Sequence, residues 1–379
     1  MPRVLCTSRK TLFGCLSFGL PLLGYICFAS AYDYWLDSGE FVAVSLGLGI
    51  AHPPGHPLAA IINGLLRWLP LGPLQLRVAW VCGMCAAASA LALFFTFERL
   101  NQWLGLRRET PRLVLAFAAS LWCAGSYAWW IQASHPEVYA LQAALSCWML
   151  ERALVIESCA GRDARPLYQL ALLWGLALAN HHFLAFLMVP ALAPTAWLVC
   201  KQHRVRSIAW SFVAVSLGLF TYAYLPLRAN ADPFLNLGKP NTFSNFIWLI
   251  SARAFQKNTG SGVPQPFTER FLDVWVQLVM SLHWSVVILA FLGLYTLWRI
   301  PITRRLAAVF SIMLIVFVGA RAWLGFVRSN PDALGYLMMA HVALVAGALS
   351  FIATLLRLAE DYGLNRIQRY TTLCVVVLL

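Results

Sequence analysis

Asp37-Ser-Gly-Glu-Phe-Val-Ala-Val-Ser-Leu-Gly-Leu-Gly-Ile-Ala-His-Pro-Pro-Gly-His-Pro57 decides how the rest of this chain is read. Two carboxylates, two histidines, three prolines and four glycines crowd into 21 residues of a chain that is otherwise poor in charge. Gly and Pro punctuate a backbone, so His52-Pro-Pro-Gly-His-Pro57 is predicted to be a stiff, non-helical turn. Asp37 and Glu40 stand three residues apart, so one turn of helix puts both on one face.

Composition sets the surroundings of that stretch. Of 379 residues, 60% are hydrophobic and 11% charged, against roughly 25% charged in a soluble domain. The apolar runs are continuous and about 20 residues long, which fits transmembrane helices and not alternating barrel strands. The net charge of +13 would suggest nucleic acid in a soluble protein. Here the basic residues sit in short clusters between apolar runs, the positive-inside pattern, so no nucleic-acid partner is expected. None of the ten cysteines falls in an expected outer loop, so no disulfide framework is implied. Cys82 and Cys85 form a CxxC inside an apolar helix and read as small packing residues.

Working outward from the stretch, Thr11 to about Ala31 is long enough to span. Ala29-Ser30-Ala31 also resembles a signal-peptidase site, which leaves a cleaved signal peptide as the rival reading. Either way Asp33, Asp37 and Glu40 fall on the outer face. Phe41–Leu69 is expected to form two short interfacial helices around the His-Pro turn. Spans are expected over about 76–100, 113–130, 138–156, 167–179, 183–200, 207–226, 271–298, 306–326 and 334–356, with arginine-rich clusters inside. Pro136 is placed in the first turn of the helix that follows it. The short run 167–179 implies local thinning or a site open to water. A second outer loop carries another interfacial helix, marked by Phe243, Phe246, Ile247 and Ile250 at helical spacing. An apolar run from Tyr370 stops at Leu379, short of a span, so the chain is expected to be a fragment or to end early. The fold class is therefore an all-α integral membrane protein, taken as a single membrane domain over 1–379. Its outer loops cover about 32–75 and 227–270.

The outer segments collect Asp37, Glu40, His52, His56, His135, Glu137, His181, His182, Arg228, Asp232, Arg253, Lys257 and Asp332. The inner ones offer mainly arginine. A base, a group for a leaving group and shape are what a reaction site needs, and the outer face has all three. Asp37 and Glu40 read either as helix caps or as functional acids. Function is favoured because ionised groups are costly beside a bilayer. Any single histidine reads first as a partner of the backbone. His52 and His56 have the i, i+4 spacing of a helical metal pair, but Pro53-Pro54-Gly55 breaks it, so no metal ligand set is assigned, although a divalent metal stays compatible. Arg321 in an apolar span either snorkels or, facing the bundle, offers a phosphate partner.

Asp37-Ser-Gly-Glu40 followed by Ala51-His-Pro-Pro-Gly-His-Pro57 resembles the first outer loop of a family of multi-span proteins related to protein O-mannosyltransferases, of the GT-C glycosyltransferase fold. Trp130 through Glu137-Val-Tyr-Ala-Leu141, Gly175 through Asn180-His-His182, and Tyr224-Leu-Pro-Leu-Arg228 match in the expected order over about residues 30–260. The family usually has Tyr where His56 stands and Gln-His where His181-His182 stand. Larger members carry a soluble C-terminal region. The resemblance implies a GT-C-like bundle of about 10–11 transmembrane helices. It also implies an enzyme that moves a sugar, plausibly mannose, from a polyprenyl-phosphate donor to an acceptor hydroxyl on a protein Ser/Thr or a glycan. The active site would then face the periplasm if the membrane is a bacterial inner membrane, and no cofactor beyond the lipid-linked donor is required.

In that chemistry Asp37 is expected to act as base and Glu40 to support the acceptor. His52, His56, His135, Glu137, Asn180, His181 and His182 are expected to bind substrate, and Arg228 with Arg321 to hold the donor phosphate. Two other classes fit less well. A lipid or sugar transporter or flippase needs ionisable residues near the midplane and paired repeats. An O-antigen-type ligase or polymerase concentrates its polar residues in a large loop of the C-terminal half, whereas here the densest motif follows the first span.

Overall fold

The computed structural model describes residues 8–32, 37–260, 263–326 and 328–362, without the side chains of 204, 257 and 258. Expectations resting on Asp33, on the Lys257 side chain or on the run from Tyr370 lie outside these residues. The described residues are helical, and their β-pairing is limited to two isolated bridges. The protein is an integral, multi-pass membrane bundle. Among the described residues six helices are long and apolar enough to cross a membrane, or eight if each of two bent pairs counts as one span.

The expected spans that fall outside this length-and-composition test have identifiable features. α7, Tyr139–Ser158, has the length of a span but carries Glu151, Arg152 and Glu157. α9, Val189–Leu219, is one hydrogen-bonded run that serves as two arms. Gln202 Nε2 donates to Ala160 O at one end of the bundle, while Tyr222 Oη, just beyond α9, donates to Leu178 O toward the other. The apolar span begins inside α9, at Val205. The expected span at 271–298 is two helices, α12 (Phe267–Leu282) and α13 (Trp284–Arg299), bent by 103°. His283 makes the corner with φ 74°, and its side chain caps α13 by accepting from Ser285 N–H. Likewise α5 (Glu109–Gly125) meets α6 (Tyr127–Ser134) at 61°. Pro136 lies before α7, not in its first turn.

Close helix contact rests on small residues, as expected where lipid removes most of the hydrophobic drive for helix association. α13 meets α16 (Met338–Asp361) at Gly293 and Gly347, where a side-chain carbon on either would strike backbone atoms of the other helix. α4 (Leu74–Trp103) faces its neighbours with Ala86, Ala87 and Ala90, all fully buried. α1 (Ser8–Cys27) joins the bundle through Tyr25, whose hydroxyl donates to Ala124 O at 2.6 Å.

The two ends of the bundle differ in chemistry. At one end buried glutamates are each paired with a base: Glu98 with Lys10 and Arg112 at 2.9 Å, Glu151 with Arg99 at 3.4 Å, and Glu157 with Arg305 at 3.6 Å. The sequence reading gave this end mainly arginine; the structure adds the acids that neutralise part of it. The opposite end holds the short helices α2 (Ser38–Gly47), α3 (Pro57–Leu65), α11 (Phe243–Ile250) and α15 (Asp332–Gly335). Ile50 ties the first loop to the second, donating from its N–H to Leu235 O and accepting from Leu237 N–H. Short helices flank the His-Pro turn, as the interrupted apolar run 41–69 suggests, and α11 forms where the periodicity of Phe243, Phe246, Ile247 and Ile250 placed a helix.

Candidate functional site

The site is built on the turn between α2 and α3. Asp37 occupies the N-cap position of α2, yet its side chain makes no capping bond. Its Oδ2 points instead toward His52 Nε2, 3.7 Å away. Glu40, in the first turn, accepts twice at one oxygen, Oε1: from the His52 backbone N–H at 2.7 Å and from the ring Nδ1 at 3.0 Å. The three-residue spacing thus puts both acids on one histidine. Asp37 remains the most open of the three, its side chain 44% exposed against 22% for Glu40 and 19% for His52.

Their electrostatics diverge for stated reasons. Burial pushes the Asp37 carboxyl above its ordinary value, a rise that the His52 charge opposes and Glu40 reinforces. Burial would raise Glu40 as well, but the His52 ring and backbone bonds outweigh it and hold the carboxyl low. For His52 burial favours the neutral ring, and the bond to Glu40 with the charges of Glu40, Asp37 and Asp332 reverses that, so its pKa rises. One acid is therefore fixed as the anion of an ion pair, and the other, raised by burial, is only loosely held.

Behind His52 runs a row of rings. His52 and His56 centroids are 5.1 Å apart, and His56 and His181 5.6 Å. His56 has φ 42° and is almost fully buried; its Nδ1–H donates to Asn180 O at 2.6 Å. Burial and neighbouring histidines keep it neutral. Asn180 closes the corner by donating from Nδ2 to Val138 O and Gln142 Oε1. At His181 the helix α8 (Arg165–Leu187) breaks, with φ −149° and ψ 87°. The chain folds back there, so Trp174 Nε1 reaches Ala185 O. This break explains the shortness of the run 167–179: non-helical backbone at membrane depth is tolerated where protein surrounds it. His181 Nε2 lies 3.2 Å from Tyr336 Oη, and His182 stacks on His181 at 6.5 Å.

His135 and Glu137 join a different partner. With Asp332 they form a buried trio whose ligand-type atoms lie within 4.8 Å of one another. Asp37, Glu40 and His52 meet the same distance condition in a more open setting. The charge of Asp37 acts on both Glu137 and Asp332, so the two trios are neighbours.

The two expected phosphate arginines separate. Arg228 donates from Nε to Leu48 O at 2.8 Å and from Nη2 to Gly47 O at 3.2 Å, which ties it to the C-terminal carbonyls of α2. Two of its nitrogens therefore serve the backbone of the first loop. Arg321, on α14 (Arg304–Trp323), is 1% exposed, and its Nε and Nη2 have no hydrogen-bond partner among the described residues. It does not snorkel. Its guanidinium lies 5.3 Å from the Phe326 ring, Phe326 lies 4.9 Å from Tyr336, and Tyr336 meets His181.

Sequence reasoning did not assign Tyr139, Tyr336, Arg270 or Asp332 to the site. Arg270 is buried and donates to Trp323 O and Gly260 O close to Arg321. The turn Asn330-Pro331-Asp332 was a usable signal, since Asn330 Oδ1 accepts from Asp332 N–H as such turns do.

The chain is an all-helical membrane bundle with short helices and a polar cluster gathered at one end. It is similar to ArnT from Cupriavidus metallidurans bound to undecaprenyl phosphate, with a TM-score of 0.60 and 13% identity, covering 93% of this chain and 64% of that one. Residues 37–206 match the family described as the protein O-mannosyl-transferase TMEM260 N-terminal domain. Over 207 residues the chain is 27% identical to protein O-mannosyl-transferase TMEM260 of Mus musculus, covering 51% of this chain and 27% of the mouse protein. The chain is thus a distant relative of that protein and spans little more than a quarter of its length.

Proposed function

We propose that the protein is a glycosyltransferase that moves a sugar, mannose in this reading, from a polyprenyl-phosphate donor to an acceptor hydroxyl on a protein Ser/Thr. The observation that carries the reading is Arg321, a buried guanidinium with two unpartnered nitrogens at the end of the bundle that holds Asp37. A buried, incompletely paired cation is costly unless an anion completes it, and phosphate suits the planar fork. The relatives support the same chemistry: one is a protein O-mannosyl-transferase, and the structural neighbour is bound to a polyprenyl phosphate.

In this reading the acceptor oxygen attacks the anomeric carbon as the bond from that carbon to the phosphate oxygen breaks. The polyprenyl phosphate leaves with the electron pair, and Asp37 takes the acceptor proton. One carboxylate opposite the leaving group suffices for a single displacement with inversion. Arg321 stabilises the charge that develops on the phosphate. Glu40 is a positioning residue, since its oxygen holds His52 and with it the turn beside Asp37. The basic clusters at the opposite end orient the site outward by the positive-inside rule, periplasmic in a bacterial inner membrane. Product analysis with a radiolabelled polyprenyl-phosphate sugar tests the proposal: label in a new glycoside supports it, and label moved across the membrane on unchanged donor points to a flippase.

A further inference from the structure

We propose that His135, Glu137 and Asp332 hold one divalent transition-metal ion, of the Mn2+ or Zn2+ type, where α6, α7 and α15 meet. The three side chains are 2%, 4% and 5% exposed, and their ligand-type atoms lie within 4.8 Å of one another. Glu137 Oε2 accepts from Val138 N–H at 3.1 Å, but Oε1 has no hydrogen-bond partner among the described residues, and neither has Asp332 Oδ1. Two carboxylates buried side by side with idle oxygens are a costly arrangement that a divalent cation neutralises.

The frame around the trio is stiff. Gln132 Nε2 donates to Pro331 O at 2.8 Å, and Asp332 N–H to Asn330 Oδ1 at 2.8 Å, so the turn that presents Asp332 is held from both sides. Gln132 Oε1 is also buried without a hydrogen-bond partner, a neutral oxygen three residues before His135. One imidazole and two carboxylates suit Zn2+ or Mn2+ better than Mg2+ or Ca2+, which favour all-oxygen shells. The trio of Asp37, Glu40 and His52 is a poorer site, because His52 already fills Glu40 Oε1 twice. The inference stands apart from the transferase reading. The competing state of the trio is a proton shared between Glu137 and Asp332, and that state does not need a metal.

The test uses the full chain purified in detergent and stripped with chelator, then titrated with MnCl2 or ZnCl2. Bound metal is counted by mass spectrometry, free Mn2+ by paramagnetic resonance, and the melting temperature is followed throughout. One ion per chain is expected, with a melting temperature that rises on loading and falls again with chelator. Glu137→Gln mimics the protonated carboxyl, so it should fold but bind at least ~100-fold more weakly, given that even outer-shell changes cost 10–100-fold. His52→Ala should keep the stoichiometry. A wild-type chain with no stoichiometric binding and no thermal response overturns the proposal, whether or not the variants fold. So does binding that survives Glu137→Gln and disappears in His52→Ala.

Discussion

One oxygen of Glu40 accepts both the backbone N–H and the ring Nδ1 of His52, at 2.7 and 3.0 Å. That pair of hydrogen bonds fixes a histidine across twelve positions of chain and turns its Nε2 toward Asp37, 3.7 Å away. The acid that looks most like a partner for substrate is thereby occupied. The half-exposed Asp37 is the one left to act.

This pairing gives the pH dependence a definite sign. Glu40 is lowered on folding, so its stabilisation is present above the ordinary carboxylate range and is lost as pH falls through the lowered value. His52 is raised, so its stabilisation is complete below about 6.5 and lost as pH rises through the raised value. Asp37 must be ionised to serve as base, and its pKa is raised. Turnover should therefore follow a bell, climbing through a pKa above the ordinary Asp value and declining above about 6.5. Glu40→Gln keeps an acceptor oxygen and removes the charge, so the falling limb should move to lower pH. A pH–rate profile of the variant with an unmoved alkaline limb contradicts the positioning role.

Arg321→Lys keeps the charge and loses the fork. Donor binding is expected to weaken about 10-fold or more, since charge-assisted bonds contribute roughly 1.5–3 kcal/mol and 1.4 kcal/mol is tenfold. Isothermal titration with polyprenyl phosphate checks it. Unchanged affinity removes Arg321 from the phosphate site.

Arg228→Lys should act differently. The bonds to Gly47 and Leu48 carbonyls are lost, which is expected to cost about 1–2 kcal/mol of stability around the first loop. A lower melting temperature with nearly normal donor affinity is the expected pattern. A donor affinity that falls as far as in Arg321→Lys restores Arg228 to the phosphate.

Orientation is open to labelling in a background without the exposed Cys15 and Cys27. Single cysteines at Lys239 and at Arg108, both exposed, sit at the site end and the opposite end. An impermeant maleimide added outside should mark the first and spare the second. The reverse pattern inverts the proposed topology.

Much of the fold was legible because its signals are local. The His-Pro turn, the helices on either side of it and Phe243–Ile250 follow from backbone chemistry and periodicity. The break at His181 was legible as the gap between the runs 167–179 and 183–200, whereas the corner at His283 was not, since a histidine inside one apolar run carries no mark of a break. The acids inside or at the end of the run 138–156 carry no sign in the sequence of how they are paired, since the partners of Glu151 and Glu157, Arg99 and Arg305, lie far away in sequence. The site's residue types were visible as an excess of acids and histidines on one face. Their grouping was not, because Asp332 meets Glu137 across 195 positions and Arg228 reaches the Leu48 carbonyl of the first loop across 180.

The central claim is that Asp37 is the base of a sugar transfer from a lipid phosphate. The most direct measurement is single-turnover transfer from radiolabelled polyprenyl-phosphate mannose, comparing wild type with Asp37→Asn in preparations matched for melting temperature and donor affinity. Asparagine keeps the size and removes the basicity, so the rate should fall by roughly 10²–10⁴-fold, the usual worth of a general base, with donor binding nearly intact. A folded Asp37→Asn protein that transfers sugar at close to the wild-type rate contradicts the account.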